Sequence, residues 1–62
     1  MFEIVETKEV GGPSKRVAWY DLDEYDQCMA DWDNWITIAM HSNSCVRLFR
    51  NDKVFSTVDC RG

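Results

Sequence analysis

Few residues of this 62-residue chain could do chemistry: three cysteines, one histidine and a larger set of acids. Cys28, Cys45 and Cys60 are odd in number and widely spaced, which fits neither a disulfide framework nor a CxxC redox pair. His41 does not stand at ligand spacing from any of them, so no zinc site is predicted. No nucleophile motif or glycine-rich phosphate loop is present. We therefore expect no enzyme activity, no cofactor and no metal.

The acids are concentrated in one segment. Between Asp21 and Asp33 lie six of the eleven acids and no basic residue: Asp21, Asp23, Glu24, Asp26, Asp31 and Asp33. The simplest interpretation is helix capping and a solvated face. The functional alternative is a negative stripe that docks into a basic groove. The net charge of −4 disfavours direct binding to nucleic acid, because that binding needs clustered Lys and Arg.

The tryptophans leave two interpretations open. Trp32 and Trp35 are three residues apart, so they lie on neighbouring parts of a helix surface. Either both lie in the core, or one anchors the helix and the other is exposed beside the acids as a binding hot spot. Trp19 belongs to a predicted strand, and we expect it in the core.

The acids need a scaffold, and a chain of this length forms one domain. Its residues 1–20 predict an antiparallel hairpin. Gly11-Gly12-Pro13-Ser14 is a turn signal between Phe2–Val10 and Lys15–Tyr20, which are both rich in β-branched and aromatic residues.

Residues 21–43 predict one long acidic helix. Asp21 or Asp23 is a natural N-cap, and Asn43 stands where a residue that tolerates the left-handed conformation often ends a helix. The β-branched run that begins at Ile36 could start a strand instead, but the unbroken helical periodicity favours one helix. Apolar residues recur at steps of three and four: Tyr25, Cys28, Met29, Trp32, Trp35, Ile36, Ala39 and Met40.

Residues 45–60 predict a second hairpin, in which alternating segments enclose the turn residues Asn51-Asp52-Lys53. We interpret the cations of this hairpin and tail as a balance for the negative charges of Asp52, Asp59 and the helix. These cations are Arg47, Arg50, Lys53 and, in the tail, Arg61. The order is therefore ββαββ, an α+β fold with a four-stranded antiparallel sheet and one long helix packed on one face. With no apolar run of about 18 residues and no signal-like N-terminus, we expect a cytoplasmic protein.

A resemblance to a known family lies in this second hairpin and at the chain end. The matching segments are Val46-Arg47-Leu48-Phe49-Arg50-Asn51-Asp52-Lys53 and Val58-Asp59-Cys60-Arg61-Gly62. They resemble the C-terminal end of the Dmd antitoxins of T-even-like phages (the name means discriminator of mRNA degradation). The chain length is similar, and an acidic helix that carries a Trp stands in the corresponding place.

The resemblance implies a function. Dmd proteins bind host endoribonuclease toxins of the RnlA and LsoA type and obstruct the groove where RNA is cut, which protects phage mRNA. The family's helix Trp falls on Trp35, or on Trp32 if the gap is placed differently, and its Asn after the helix falls on Asn43. The chain would then act in the host cytoplasm, as a monomer on its toxin, without binding nucleic acid or a membrane.

The acidic charge and the family resemblance together predict that the helix inserts into the RNA-binding groove of the toxin. Its predicted partner-binding residues are Asp23, Glu24, Asp26, Asp31, Trp32, Asp33, Trp35 and Asn43. Two alternatives remain open. One is a small acidic phage regulatory protein that binds host transcription or replication machinery. The other is a structural or oligomeric component with an exposed apolar edge.

Overall fold

A computed structural model describes residues 1–9 and 11–60, and its elements follow the predicted order. They are β1 (Phe2–Thr7), β2 (Ser14–Tyr20), a short 3-10 turn (Leu22–Glu24), α1 (Tyr25–Ser42), β3 (Cys45–Arg50) and β4 (Lys53–Asp59). The ββαββ order and the α+β class are confirmed. Val10, assigned above to the first strand, and Arg61 and Gly62, assigned to the C-terminal motif, lie outside the described residues.

The four strands form one antiparallel sheet in the order β2-β1-β3-β4. β1 and β3 are central, with Ile4 of β1 opposite both Ala18 of β2 and Leu48 of β3. Because β2 and β3 are each antiparallel to β1, they run parallel to each other. Parallel strands need a long crossover connection, and α1 supplies it. The helix is thereby placed across one face of the sheet.

The two hairpins differ in their loops. Asn51 and Asp52 alone join β3 to β4, with φ of 49° and 66°. Positive φ at both central residues defines a type I′ turn, whose twist matches that of paired strands. The first hairpin has the longer connection, between Thr7 and Ser14, in which Gly11 takes φ of 75°. The Gly and Asn/Asp signals in the sequence therefore mark both turns correctly.

The core lies between α1 and the sheet face that it covers. It is built from Phe2, Ile4, Val46 and Leu48 of the sheet and Cys28, Trp32 and Ala39 of the helix. The predicted apolar stripe is confirmed in its centre but wrong at two positions, since Tyr25 is 45% and Met40 63% exposed. Tyr25 lies at the helix start, where its ring packs edge-on against the Phe2 ring, at 5.8 Å between centroids. Met40 lies on the flank of the stripe.

Both ends of the helical segment are capped by its own residues. Asp21, one of the two predicted N-caps, caps the 3-10 turn and not α1, whose N-cap is Glu24; the backbone N–H of Asp21 donates to Glu24 Oε1 at 3.0 Å. At the other end Asn43 takes the left-handed conformation, and the N–H groups of Asn43 and Ser44 both donate to the Ala39 carbonyl. The Ser44 bond is the 6→1 bond of a Schellman motif and the Asn43 bond is the 5→1 bond of an αL motif, and both end the helix at the Ala39 carbonyl.

The three cysteines are free thiols, with Cys28 and Cys45 buried and Cys60 half-buried. In the described part of the chain, no helix combines the length and the apolar character needed to cross a membrane.

Candidate partner-binding site

Four acids of the helical segment are exposed to solvent. Asp23 and Glu24 belong to the 3-10 turn, Asp26 to the first turn of α1, and Asp33 follows seven residues later. All four are exposed. Seven residues make about two helical turns, so Asp26 and Asp33 share one flank of α1. No Lys or Arg occurs between Arg16 and Arg47 to offset these charges.

The negative charge is densest where the helical segment begins. The carboxylates of Asp21, Asp23 and Glu24 lie within 4.8 Å of one another and are exposed. The positive end of the helix dipole favours acids at this place, but like charges at this distance still repel. A basic partner surface or a cation would relieve that repulsion. We call Asp21, Asp23, Glu24, Asp26 and Asp33 together the acidic helix face.

Asp31 has a different environment from the other acids. It is half-buried and accepts hydrogen bonds from the Tyr20 hydroxyl and, at 3.1 Å, from Gln27 Nε2. Burial and the bond to Asp31 raise the pKa of Tyr20 above its ordinary value of 10.0. Burial and the Asp31 charge also raise the pKa of the Cys28 thiol. Asp31 therefore joins α1 to β2 through the Tyr20 hydroxyl.

The structure separates the two helix tryptophans. Trp32 is 6% exposed and belongs to the core, where it holds α1 on the sheet. Trp35 is half-buried and packs against that core from its margin. Of the two positions to which the resemblance assigns a contact Trp, only Trp35 keeps surface that a partner could reach.

Asn43 is exposed at the C-terminal end of α1, with φ of 53°. Its left-handed conformation ends the helix, and its side chain makes none of the hydrogen bonds found in the described part of the chain. The residue therefore has a structural role through its backbone and a side chain that is accessible to a partner.

The expectation that Trp19 lies in the core is wrong, because its side chain is 61% exposed. Successive strand residues point to opposite faces of a sheet. Ala18 and Tyr20 pack toward the helix, so Trp19 faces the other side. There the Arg16 guanidinium lies over the indole ring at 4.8 Å, and Arg16 Nη1 is 3.4 Å from Glu3 Oε2. The alternation of strand residues between the two sheet faces around Trp19 was the sequence signal that could have predicted its exposure.

Trp19 is one end of a row that crosses the whole sheet. The strand registers place Trp19, Glu3, Phe49 and Val54 side by side, and the next row holds Arg16, Val5, Arg47 and Thr57. No described helix packs against these eight residues, since α1 covers the opposite face. We call the two rows the open sheet face. The sequence did not indicate it as a site.

Two surface depressions lie at the hairpin loops. One of about 300 Å³ is lined by Arg50, Asn51, Lys53, Val54 and Phe55. The other, of about 380 Å³, is lined by Glu6, Lys8, Glu9, Pro13 and Lys15. Neither set includes a residue of the acidic helix face.

Comparison of the chain with known protein families, with curated proteins and with solved structures finds no match. Function is therefore inferred from the residues of this chain.

Proposed function

We propose that this chain is a phage antitoxin that binds a host endoribonuclease toxin of the RnlA or LsoA type and blocks the groove in which RNA is cut. The observation that carries the proposal is the acidic helix face. A groove that holds RNA is positively charged, because phosphate neutralisation supplies much of the affinity. A negative protein surface binds to the same positive residues and excludes RNA from them. The resemblance of the C-terminal segments points to the same class of partner.

The shape of the molecule supports insertion into a groove. It measures 34 × 20 × 15 Å, and α1 has 18 residues and a length of about 27 Å. At about 100° per residue, Asp26 and Asp33 lie on one flank of the exposed helix surface and Trp35 on the other. A groove wall on one side would then meet carboxylates, while the opposite wall would meet an indole. The sheet behind the helix holds both flanks in place.

The proposal is tested with the variant Asp26→Asn with Asp33→Asn and a purified toxin of this type. Neither carboxylate has a hydrogen-bond or ion-pair partner in the described part of the chain, so the fold should not change. We expect association at low salt to slow by about tenfold, because electrostatic steering is lost. Inhibition of RNA cleavage should weaken in parallel. Stopped-flow binding and a cleavage assay measure the two effects.

The control is Asp52→Asn, which removes one negative charge from the turn between β3 and β4 and is compared with Asp26→Asn alone. It should bind and inhibit as the unchanged chain does. Equal losses in both variants would show that net charge matters and the helix face does not. If the unchanged chain neither binds such toxins nor protects RNA, the proposal is wrong. Retention of a polymerase or replication subunit from host lysate would then favour the regulatory alternative.

A further inference from the structure

The depression at the first hairpin contains a buried carboxylate that the proposed function does not use. Of the residues that line it, Glu6 alone is buried, with 8% of its surface exposed. The rest of the lining is exposed and consists of Lys8, Glu9, Pro13 and Lys15. A carboxylate is costly to bury unless cations or hydrogen-bond donors surround it. The partners of Glu6 therefore decide what this depression can bind.

Glu6 has few partners within the chain. Its Oε2 atom accepts one hydrogen bond, from the Ser44 hydroxyl at 3.4 Å, which is long for a bond between two oxygens. Its Oε1 atom accepts none from the described residues. In the same part of the chain, every fully buried side-chain oxygen of a buried residue has a hydrogen-bond partner. Oε1 is therefore open to the depression and can accept hydrogen bonds there.

Two lysines beside this carboxylate carry charge that no acid offsets. Lys15 lies opposite Glu6 in the pairing of β1 with β2. Cross-strand neighbours point to the same face of a sheet, with their Cβ atoms about 5 Å apart. Glu6, Lys8 and Lys15 nevertheless form no ion pair with any described residue. The depression therefore presents one negative group and two positive groups that are not paired with each other.

This lining selects a ligand that carries both signs of charge. An ammonium group can donate to Glu6 Oε1, and a carboxylate can accept from the two lysines. A cation alone is repelled by Lys8 and Lys15, and an anion alone is repelled by Glu6. Because Glu6 and Lys15 are cross-strand neighbours, the two charges of the ligand must lie within a few ångströms of each other. An α-amino acid has this arrangement, with its ammonium and its carboxylate on one carbon.

The surroundings of the depression favour the same ligand. Ser44, which holds Glu6, directly follows the C-cap of α1, and the negative end of a helix dipole attracts an ammonium group. Pro13 and the aliphatic stems of the lysines offer apolar surface to the side chain of the ligand. The volume of about 380 Å³ lies in the range of small-molecule sites, about 300–1,000 Å³.

We propose that this depression binds a free α-amino acid with an apolar side chain. The ammonium group of the ligand donates to Glu6 Oε1, and its carboxylate lies between Lys8 and Lys15. The depression shares no residue with the acidic helix face, so this site does not depend on toxin binding.

NMR titration of the ¹⁵N-labelled chain with L-leucine tests the proposal without any toxin. We expect saturable shifts of the backbone amides of Glu6, Lys8 and Lys15, with Kd in the millimolar range. Two molecules that each keep one charge of leucine are the control ligands. 3-Methylbutylamine keeps the ammonium, and 4-methylpentanoate keeps the carboxylate. Each should bind about tenfold more weakly than leucine, because each loses one set of charge-assisted hydrogen bonds.

Three variants locate the binding on the chain. Glu6→Gln keeps the size of the side chain and an oxygen for the Ser44 bond but removes the charge, and it should weaken leucine binding about tenfold. Lys15→Met keeps the long stem without the ammonium and should weaken binding several-fold. Lys53→Met, in the other depression, is the matched control and should bind as the unchanged chain does. Circular dichroism checks that each variant folds, and the comparison of the three ligands needs no variant.

Three results would overturn the amino-acid site. The first is the absence of saturable shifts at Glu6 and Lys15, as expected if the Lys15 ammonium itself closes onto Glu6 in solution. The second is equal affinity for leucine and for either control ligand, which would mean that one sign of charge is enough. The third is a loss in Lys53→Met equal to that in Lys15→Met, which would assign binding to net charge. Failure of the toxin assay affects none of these outcomes.

Discussion

At the scale of the residue, three tryptophans occupy three environments. Trp32 is 6% exposed under the helix, Trp35 is half-buried at the margin of the core, and Trp19 is 61% exposed on the far side of the sheet. The side chain is the same in each case, but what it contributes depends on what it faces. Trp32 contributes to folding, and the other two keep surface for partners.

This difference predicts unequal costs of truncation. Trp32→Ala should lower the free energy of unfolding by about 3–5 kcal/mol, because it leaves a cavity between helix and sheet. Trp35→Ala should cost clearly less, since part of its ring is already in water. Urea denaturation followed by circular dichroism measures both. Equal losses would mean that Trp35 is as much a core residue as Trp32.

A second residue-scale contact, from Tyr20 to Asp31, makes stability depend on pH. The pKa of Tyr20 is raised above its ordinary value of 10.0, and that of Cys28 above 9.0. Between the ordinary value and the raised value, the unfolded chain has released a proton that the folded chain still holds. Deprotonation then favours the unfolded chain, and the free energy of unfolding falls as pH rises.

We therefore expect stability that is complete below about pH 9 and declines above it. Tyr20→Phe should flatten the part of the decline that begins above about pH 10, while leaving the part that comes from Cys28. Tyr25→Phe, which removes an exposed tyrosine hydroxyl, is the matched control. Urea midpoints measured across this alkaline range give the comparison. A slope in Tyr20→Phe equal to that of the unchanged chain would contradict the assignment.

At the scale of the element, the end of α1 combines a structural role with a proposed binding role in one residue, Asn43. The φ of 53° at Asn43 directs the chain from the helix into β3, and the Ala39 carbonyl accepts the capping hydrogen bonds. Gly tolerates this conformation better than Ala, which has a Cβ that clashes. The backbone role of Asn43 can therefore be separated from its side-chain role.

Asn43→Gly should keep the stability of the fold, and Asn43→Ala should lose about 1 kcal/mol. If the side chain contacts the toxin, as the resemblance implies, Asn43→Gly should also weaken toxin binding although the fold is intact. Thermal denaturation and toxin affinity of both variants distinguish these effects. Full toxin affinity in Asn43→Gly would show that this residue only caps the helix.

At the scale of the whole molecule, the helical segment is a region of purely negative charge. The stretch between Arg16 and Arg47 carries acids but no Lys or Arg, and it forms the helix layer. The guanidinium groups of Arg16 and Arg47 lie on the opposite side of the sheet. For the toxin assay proposed above, this layout implies that association slows as salt rises, and that the variant lacking Asp26 and Asp33 depends less on salt.

Much of this molecule was determined by the sequence itself, because the signals are local. The glycine-rich turn, the Asn51-Asp52 turn, the helical periodicity and the caps at Asp21 and Asn43 each act within a few residues. They were enough to predict the ββαββ order and the exposed acids of the helix. Of the predicted site, Asp23, Glu24, Asp26 and Asp33 lie on the surface as expected.

Only the tertiary structure decided the rest. The strand order β2-β1-β3-β4 and the bond from Tyr20 to Asp31 join residues from different elements, and no local pattern encodes such pairings. Alternation in a strand predicts two faces but not which one the helix covers. For that reason the sequence could not tell that Trp19 is exposed, that Trp32 is buried, or that a row from Trp19 to Val54 crosses the uncovered side of the sheet.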